Sequence, residues 1–141
     1  MMKRREKTDA ILAWAKTWPR LDEYLKLNAI LTQEDEASLN PIGTEKVGDR
    51  YIDGTPMYLE YTFMLKIVLP WSDGYDAVNA EAQLLVEEWM DWVDAQYPDN
   101  VPALDGVVEK IEAVASEPTI TVFQDESLAE YNFICKITYN E

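Results

Sequence analysis

Histidine is missing from all 141 residues, and there is one cysteine, Cys135. The first absence removes the commonest general base, the Ser-His and Cys-His nucleophile systems, and imidazole metal sites together. The second rules out an internal disulfide and a cysteine-held zinc or iron–sulfur centre. Glycine is sparse too. The five are scattered, and neither G-x-G-x-x-G nor G-x-x-x-x-G-K-[ST] occurs, which leaves no glycine-rich phosphate loop. No apolar run approaches the roughly 20 residues that cross a bilayer. The basic opening, Met1 to Lys7, is followed by too short an apolar patch before Lys16 and Arg20 to read as a secretory signal. A cytoplasmic chain without membrane, cofactor or metal is expected.

Basic residues are the other shortage. Twelve Lys and Arg stand against 27 Asp and Glu, for a net charge of −15. The first thirty residues hold seven basic and four acidic side chains, and the remainder five basic and 23 acidic. Such a surface repels nucleic-acid phosphates, so no specific nucleic-acid binding is expected. The excess serves either plain solubility or a surface that DNA must pass without sticking. The basic start, Lys3, Arg4, Arg5 and Lys7, has three readings: nucleic-acid contact, a solvated chain end, or attraction to the acidic body of a neighbouring copy. The carboxylates suggest hard-cation sites only weakly. Asp73, Asp76 and Asn79 do not have the spacing of a calcium loop and suit a helix N-terminus, while Glu87, Glu88, Asp91 and Asp94 fit a solvated helix face.

What is present is a folded domain: 48% apolar residues, five Trp and eight Tyr, read as a single domain over 1–141. Its centre is Met57 to Tyr97. Met57, Leu59, Tyr61, Phe63, Leu65, Ile67 and Leu69 alternate with a mixed set, the period of a strand with one apolar face. Pro70 and Ser72-Asp73-Gly74 end it. Val78, Ala82, Leu85, Trp89, Trp92 and Gln96, widened by Val86 and Val93, then form the stripe of an amphipathic helix. Before this pair, Thr8 to Trp18 predicts a helix capped by Thr8 or Asp9, with Ile11, Trp14, Ala15 and Trp18 on one face and Pro19 ending it. Tyr24 to Leu31 predicts a strand, and Thr32 to Glu36 an acidic turn. Two short strands, Ala37 to Ile42 and Lys46 to Tyr51, are expected either side of Gly43, and Asp53-Gly54 is a hairpin turn signal. After the helix, Tyr97 to Gly106 is a loop and Ile120 to Gln124 a small extra strand. Leu128 to Tyr139 is a strand whose Ala129, Tyr131, Phe133, Cys135, Ile137 and Tyr139 share a side. Glu60 and Lys66 share the spacing of Glu130 and Lys136. Antiparallel pairing with Phe63 opposite Phe133 would therefore put Glu60 against Lys136 and Lys66 against Glu130. Trp71 and Tyr75, between strand and helix, are the first candidates for a contact surface.

Several segments together resemble one family. Asp9 to Leu21 (DAILAWAKTWPRL), Arg50 to Thr55 (RYIDGT), Tyr75 to Asn79 (YDAVN), Val101 to Leu104 (VPAL) and Tyr131 to Tyr139 (YNFICKITY) are similar, in order, to the minor capsid or tail terminator proteins of tailed phages. The resemblance implies an α+β fold like the lambda tail terminator, a mainly antiparallel sheet packed against two helices. It is also part of why Val107 to Ala115, which fits a helical period, is read as a strand. It further implies a phage or prophage protein of the virion tail and neck, assembled in the bacterial host cytoplasm. That protein forms a ring of six copies that caps the tail tube and joins it to head-neck proteins. No catalytic residues are expected, because the work is geometric. Lys3, Arg4, Arg5, Trp71 and Tyr75 become the candidates for contact between copies. The alternatives are another neck component, such as a head–tail connector or head completion protein, and an acidic DNA-mimic binding module. A carboxylate-dependent enzyme using Asp73 or Asp76 is the remaining class.

Overall fold

A computed structural model of the protein describes residues 3–18, 25–31, 36–50, 52–54, 56–72, 76–104, 106–113, 119–123 and 127–140. The elements are α1 (Arg4–Ala15), β1 (Leu25–Leu27), β2 (Ala37–Arg50), β3 (Pro56–Pro70), α2 (Asp76–Ala95), β4 (Val107–Ala113), β5 (Thr119–Val122) and β6 (Leu128–Asn140). The strands form one sheet in the order β1-β2-β3-β6-β4, with β5 also on β6. All pairings are antiparallel except β1 with β2. This is the α+β architecture expected: a mainly antiparallel sheet with two helices against it.

β3 and β6 sit centrally because each alternates along most of its length. On β6 every second residue from Ala129 to Tyr139 is buried, and on β3 Tyr61, Phe63, Leu65, Ile67 and Leu69 are buried on the same face. That face meets α2 through Ala82, Val86, Trp89 and Val93, and α1 through Ile11, Trp14 and Ala15, with Trp18 just beyond. Four indoles knit the layers. Trp89 stacks on Trp92 at 5.2 Å, Trp14 lies 5.2 Å from Trp92, Trp18 lies 5.2 Å from Trp89, and Trp89 reaches Phe133 on the sheet at 6.1 Å. Offset and edge contacts of this kind contribute beyond the area they bury. The Trp14 Nε1–H donates to the Asn100 carbonyl at 2.9 Å, tying α1 to the loop after α2. Among the described residues the opposite face is covered only near Ser38, where the Ala29 N–H donates to Ser38 Oγ at 2.8 Å and Ser38 and Val68 are buried.

Several expectations need correction. The first helix starts at Arg4, not Thr8, because Glu6 reaches back to accept from the Lys3 N–H at 3.1 Å. A carboxylate three residues into a helix can satisfy an end N–H as well as an N-cap side chain does. Thr8 and Asp9 are therefore interior, and the chain is helical from Arg4, with Lys3 and Arg5 still exposed. β1 has three residues in place of the eight from Tyr24 to Leu31; Tyr24, Pro19 and most of the acidic turn lie outside the described residues. β2 runs unbroken through Gly43, and a bulge between Pro41 and Gly43 replaces the break. The long hairpin β2–β3 turns at Asp53-Gly54 as predicted. In α2 the buried line is Ala82, Val86, Trp89 and Val93, and Leu85 and Trp92 are at its margin. β4 and β5 are strands, as read.

The register of β3 on β6 differs by two residues from the one expected. Phe63 lies opposite Cys135, and Leu65 opposite Phe133. The charge pairs form nonetheless, Lys136 to Glu60 at 3.4 Å and Lys66 to Glu130 at 3.6 Å. They are diagonal neighbours, which long side chains span as readily as direct ones.

Candidate functional site

Of the five residues picked from sequence, the three whose side chains are described, Lys3, Arg5 and Trp71, do not form one patch. Trp71 follows β3; it packs partly buried against the core, and its backbone N–H donates to the Ser127 carbonyl at 3.0 Å. It sits beyond the Pro70–Leu128 end of the central strand pair. α1 begins near the other end, where Lys7 Nζ lies 5.3 Å from the ring centroid of Tyr139, opposite Leu59. Lys3 and Arg5 are exposed. Arg5 approaches Asp9 at 3.9 Å, an exposed pair of little energetic weight. Tyr75 and the side chain of Arg4 lie outside the described residues. Lys7 is buried, so the basic run splits into inward and outward charges.

Asn79 sets the corner after Trp71. Its Oδ1 accepts from the Ser72 N–H at 3.0 Å, and its Nδ2 donates to the Ser72 carbonyl at 2.8 Å, clasping the strand end to the first turn of α2.

Two hollows flank α1. One, about 350 Å³, lies between α1 and the β2 bulge and is lined by Lys7, Thr8, Pro41, Gly43, Thr44 and Tyr61. Thr8 Oγ1 and the Tyr61 hydroxyl are 3.2 Å apart there; burial raises the Tyr61 pKa, and the Thr8 hydrogen bond works against that rise. The other is a broader groove of about 640 Å³ where Ala10, Ala13 and Trp14 face Trp92, Val101 and Ala103. Among the described residues, neither hollow is lined by a cysteine. Cys135 is fully buried, and that burial pushes its thiol up to about 12, so the nucleophilic thiolate does not form near neutrality. Among the described residues, no group of three or more Cys, Asp or Glu is placed to hold a metal ion, and no helix is long and apolar enough to cross a membrane.

The surface is more informative than the hollows. The outward side of α2 carries Glu81, Glu87, Glu88, Asp91 and Asp94, all exposed. On the open sheet face, the two ion pairs bracket Met64 and Ile134, which lie opposite each other. Of the nine exposed large apolar residues among those described, six lie at the two sides of the sheet. Leu27 lies in β1, Ile42 in β2 and Ile52 in the hairpin turn, while Val107 lies in β4 and Ile120 and Val122 in β5. These margins were not singled out from sequence. The signal that marks them is β-branched residues on strands whose alternation is broken by Pro, Gly or a charge.

No family model matches the chain, and no curated protein matches it.

Proposed function

We propose that the protein is a tail terminator of a tailed phage or prophage, a structural component that assembles as a ring on the end of the tail tube and meets the head-neck proteins. The observation that carries this reading is the ordered run of family-like segments from Asp9 to Tyr139, together with the architecture that run implied. DAILAWAKTW falls on α1 and the turn after it, RYIDGT on the β2–β3 turn, and YNFICKITY on β6, the strand at the sheet's centre. The exposed carboxylates of α2 and the net charge of −15 suit a particle part past which DNA travels. Copies related head to tail close into a ring when two unlike surfaces fit each other. Lys3 and Arg5 provide a positive surface on an otherwise acidic body.

Deleting the gene from the phage or prophage that carries it tests the role. Overlong or headless tails are expected in electron micrographs. Normal-length tails with heads that leak DNA would replace this reading with a head completion or connector role. Wild-type particles would discard both.

A further inference from the structure

The two margins of the sheet match each other. β1 covers only Ala37 to Leu39 of β2, so from Asn40 onward the outer edge of β2 has no strand neighbour among the described residues, and neither has β4. Open edges are where a further strand adds. Directions follow from the pairings: β2 and β6 run one way, β3 and β4 the other. A rotation about an axis parallel to the strands preserves those directions. Under that rotation β4 of one copy meets β2 of the next antiparallel.

The register follows from the rows. Directly opposed residues cross the whole sheet in the row Glu45, Glu60, Thr138, Lys110. The row begins on a carboxylate and ends on an ammonium, all on the open face. With the strands parallel to the ring axis, closure without rise sets each row of one copy against the same row of the next. Lys110 then lies opposite the neighbour's Glu45. Within one copy Glu45 is poorly placed. It faces Glu60, a like-charge pairing, and Glu60 already holds Lys136 at 3.4 Å. Glu45 and Lys46 make no ion pair or side-chain hydrogen bond of their own among the described residues. Lys110 pairs only along its own strand, with Glu112 at 3.2 Å, and stays 60% exposed.

We infer that copies of this chain join edge to edge, β4 of one against β2 of the next, in the register that sets Lys110 opposite Glu45. The inference deepens the ring reading and rests on it for closure; the edge contact itself is independent of any phage role. Irregularities at Pro41–Gly43 and Val108–Lys110 limit the regular stretch to a few residues. The contact is therefore weak per pair, and assembly depends on concentration and salt.

Paired cysteines test it, since Cys135 is fully buried and leaves introduced thiols as the accessible ones. Glu45→Cys and Lys110→Cys proteins are mixed at high concentration and oxidised with diamide. A disulfide-linked dimer is expected in the mixture and not in either variant alone, and a chain carrying both changes should give a ladder of linked oligomers. Charge reversal gives a second reading by sedimentation: Lys110→Glu should weaken association roughly tenfold, and adding Glu45→Lys should restore it. The inference is overturned by a mixture that does not link, by dimers of a single variant, by reversal without effect, or by a chain that stays monomeric at every concentration. Normal linking together with wild-type phage from the deletion strain would sink the terminator role and leave the edge contact standing.

Discussion

On β6, Tyr131, Phe133, Cys135, Ile137 and Tyr139 are buried beneath two helices, and the residues between them, Glu130, Asn132, Ile134, Lys136 and Thr138, are only half-buried. Neighbours in sequence thus live in different solvents. The covered face is aromatic and dry, so its side chains hold the helices to the sheet. The open face is charged and neutralises itself in pairs, so it adds little to stability and remains usable for contact with other molecules. Stability and association are carried by alternate residues of the same strands.

The largest test of that division is Trp89→Ala. Trp89 touches Trp18, Trp92 and Phe133, and its loss should cost about 3–5 kcal/mol in urea unfolding followed by circular dichroism. Ile134→Ala on the other face should cost about 1 kcal/mol. Equal costs would break the comparison.

Alkaline pH discriminates the faces next. The folded state keeps the Cys135 thiol protonated up to about 12 against an ordinary 9.0, and burial likewise raises the phenols of Tyr61 and Tyr131 above 10.0. A raised acid pKa means that the unfolded chain ionises first. Stability is accordingly intact below pH 9 and falls as pH rises from there to about 12. Cys135→Ala should flatten the first part of that fall in denaturant titrations at stepped pH.

How much of this was legible beforehand differs by element. β6 announced itself because each of its faces has one character, and α2 because its stripe is long. The hairpin was marked by Asp53-Gly54, which few other structures would use. The start of α1 was missed because a glutamate reaching back from the third position resembles an ordinary helix residue. The register of β3 on β6 was missed by two because Glu60 and Lys136 meet as well diagonally as directly. The contact candidates were the least legible. Trp71 is partly buried against the core, with its backbone held by the Ser127 carbonyl, and so stays partly open to contact. The row from Glu45 to Lys110 draws on four separate strands, and only their order brings it together.

Smaller effects sharpen the picture. Asn79→Ala removes both hydrogen bonds that clasp the corner between β3 and α2, and should cost about 1–2 kcal/mol, read from urea midpoints. A double-mutant cycle on Glu60 and Lys136 should return only about 0.2–1 kcal/mol, shrinking in added salt. A coupling several times larger would make the open face a structural element in its own right.

β6 follows every other strand in chain order yet lies between β3 on one side and β4 and β5 on the other. A nascent chain leaving the ribosome therefore carries β3 with one edge bare, and β4 and β5 with nothing to pair, until that segment emerges. Completion of the sheet waits for Leu128–Asn140, and a stop before Leu128 should leave the β2–β3 hairpin without the strand that joins it to β4 and β5.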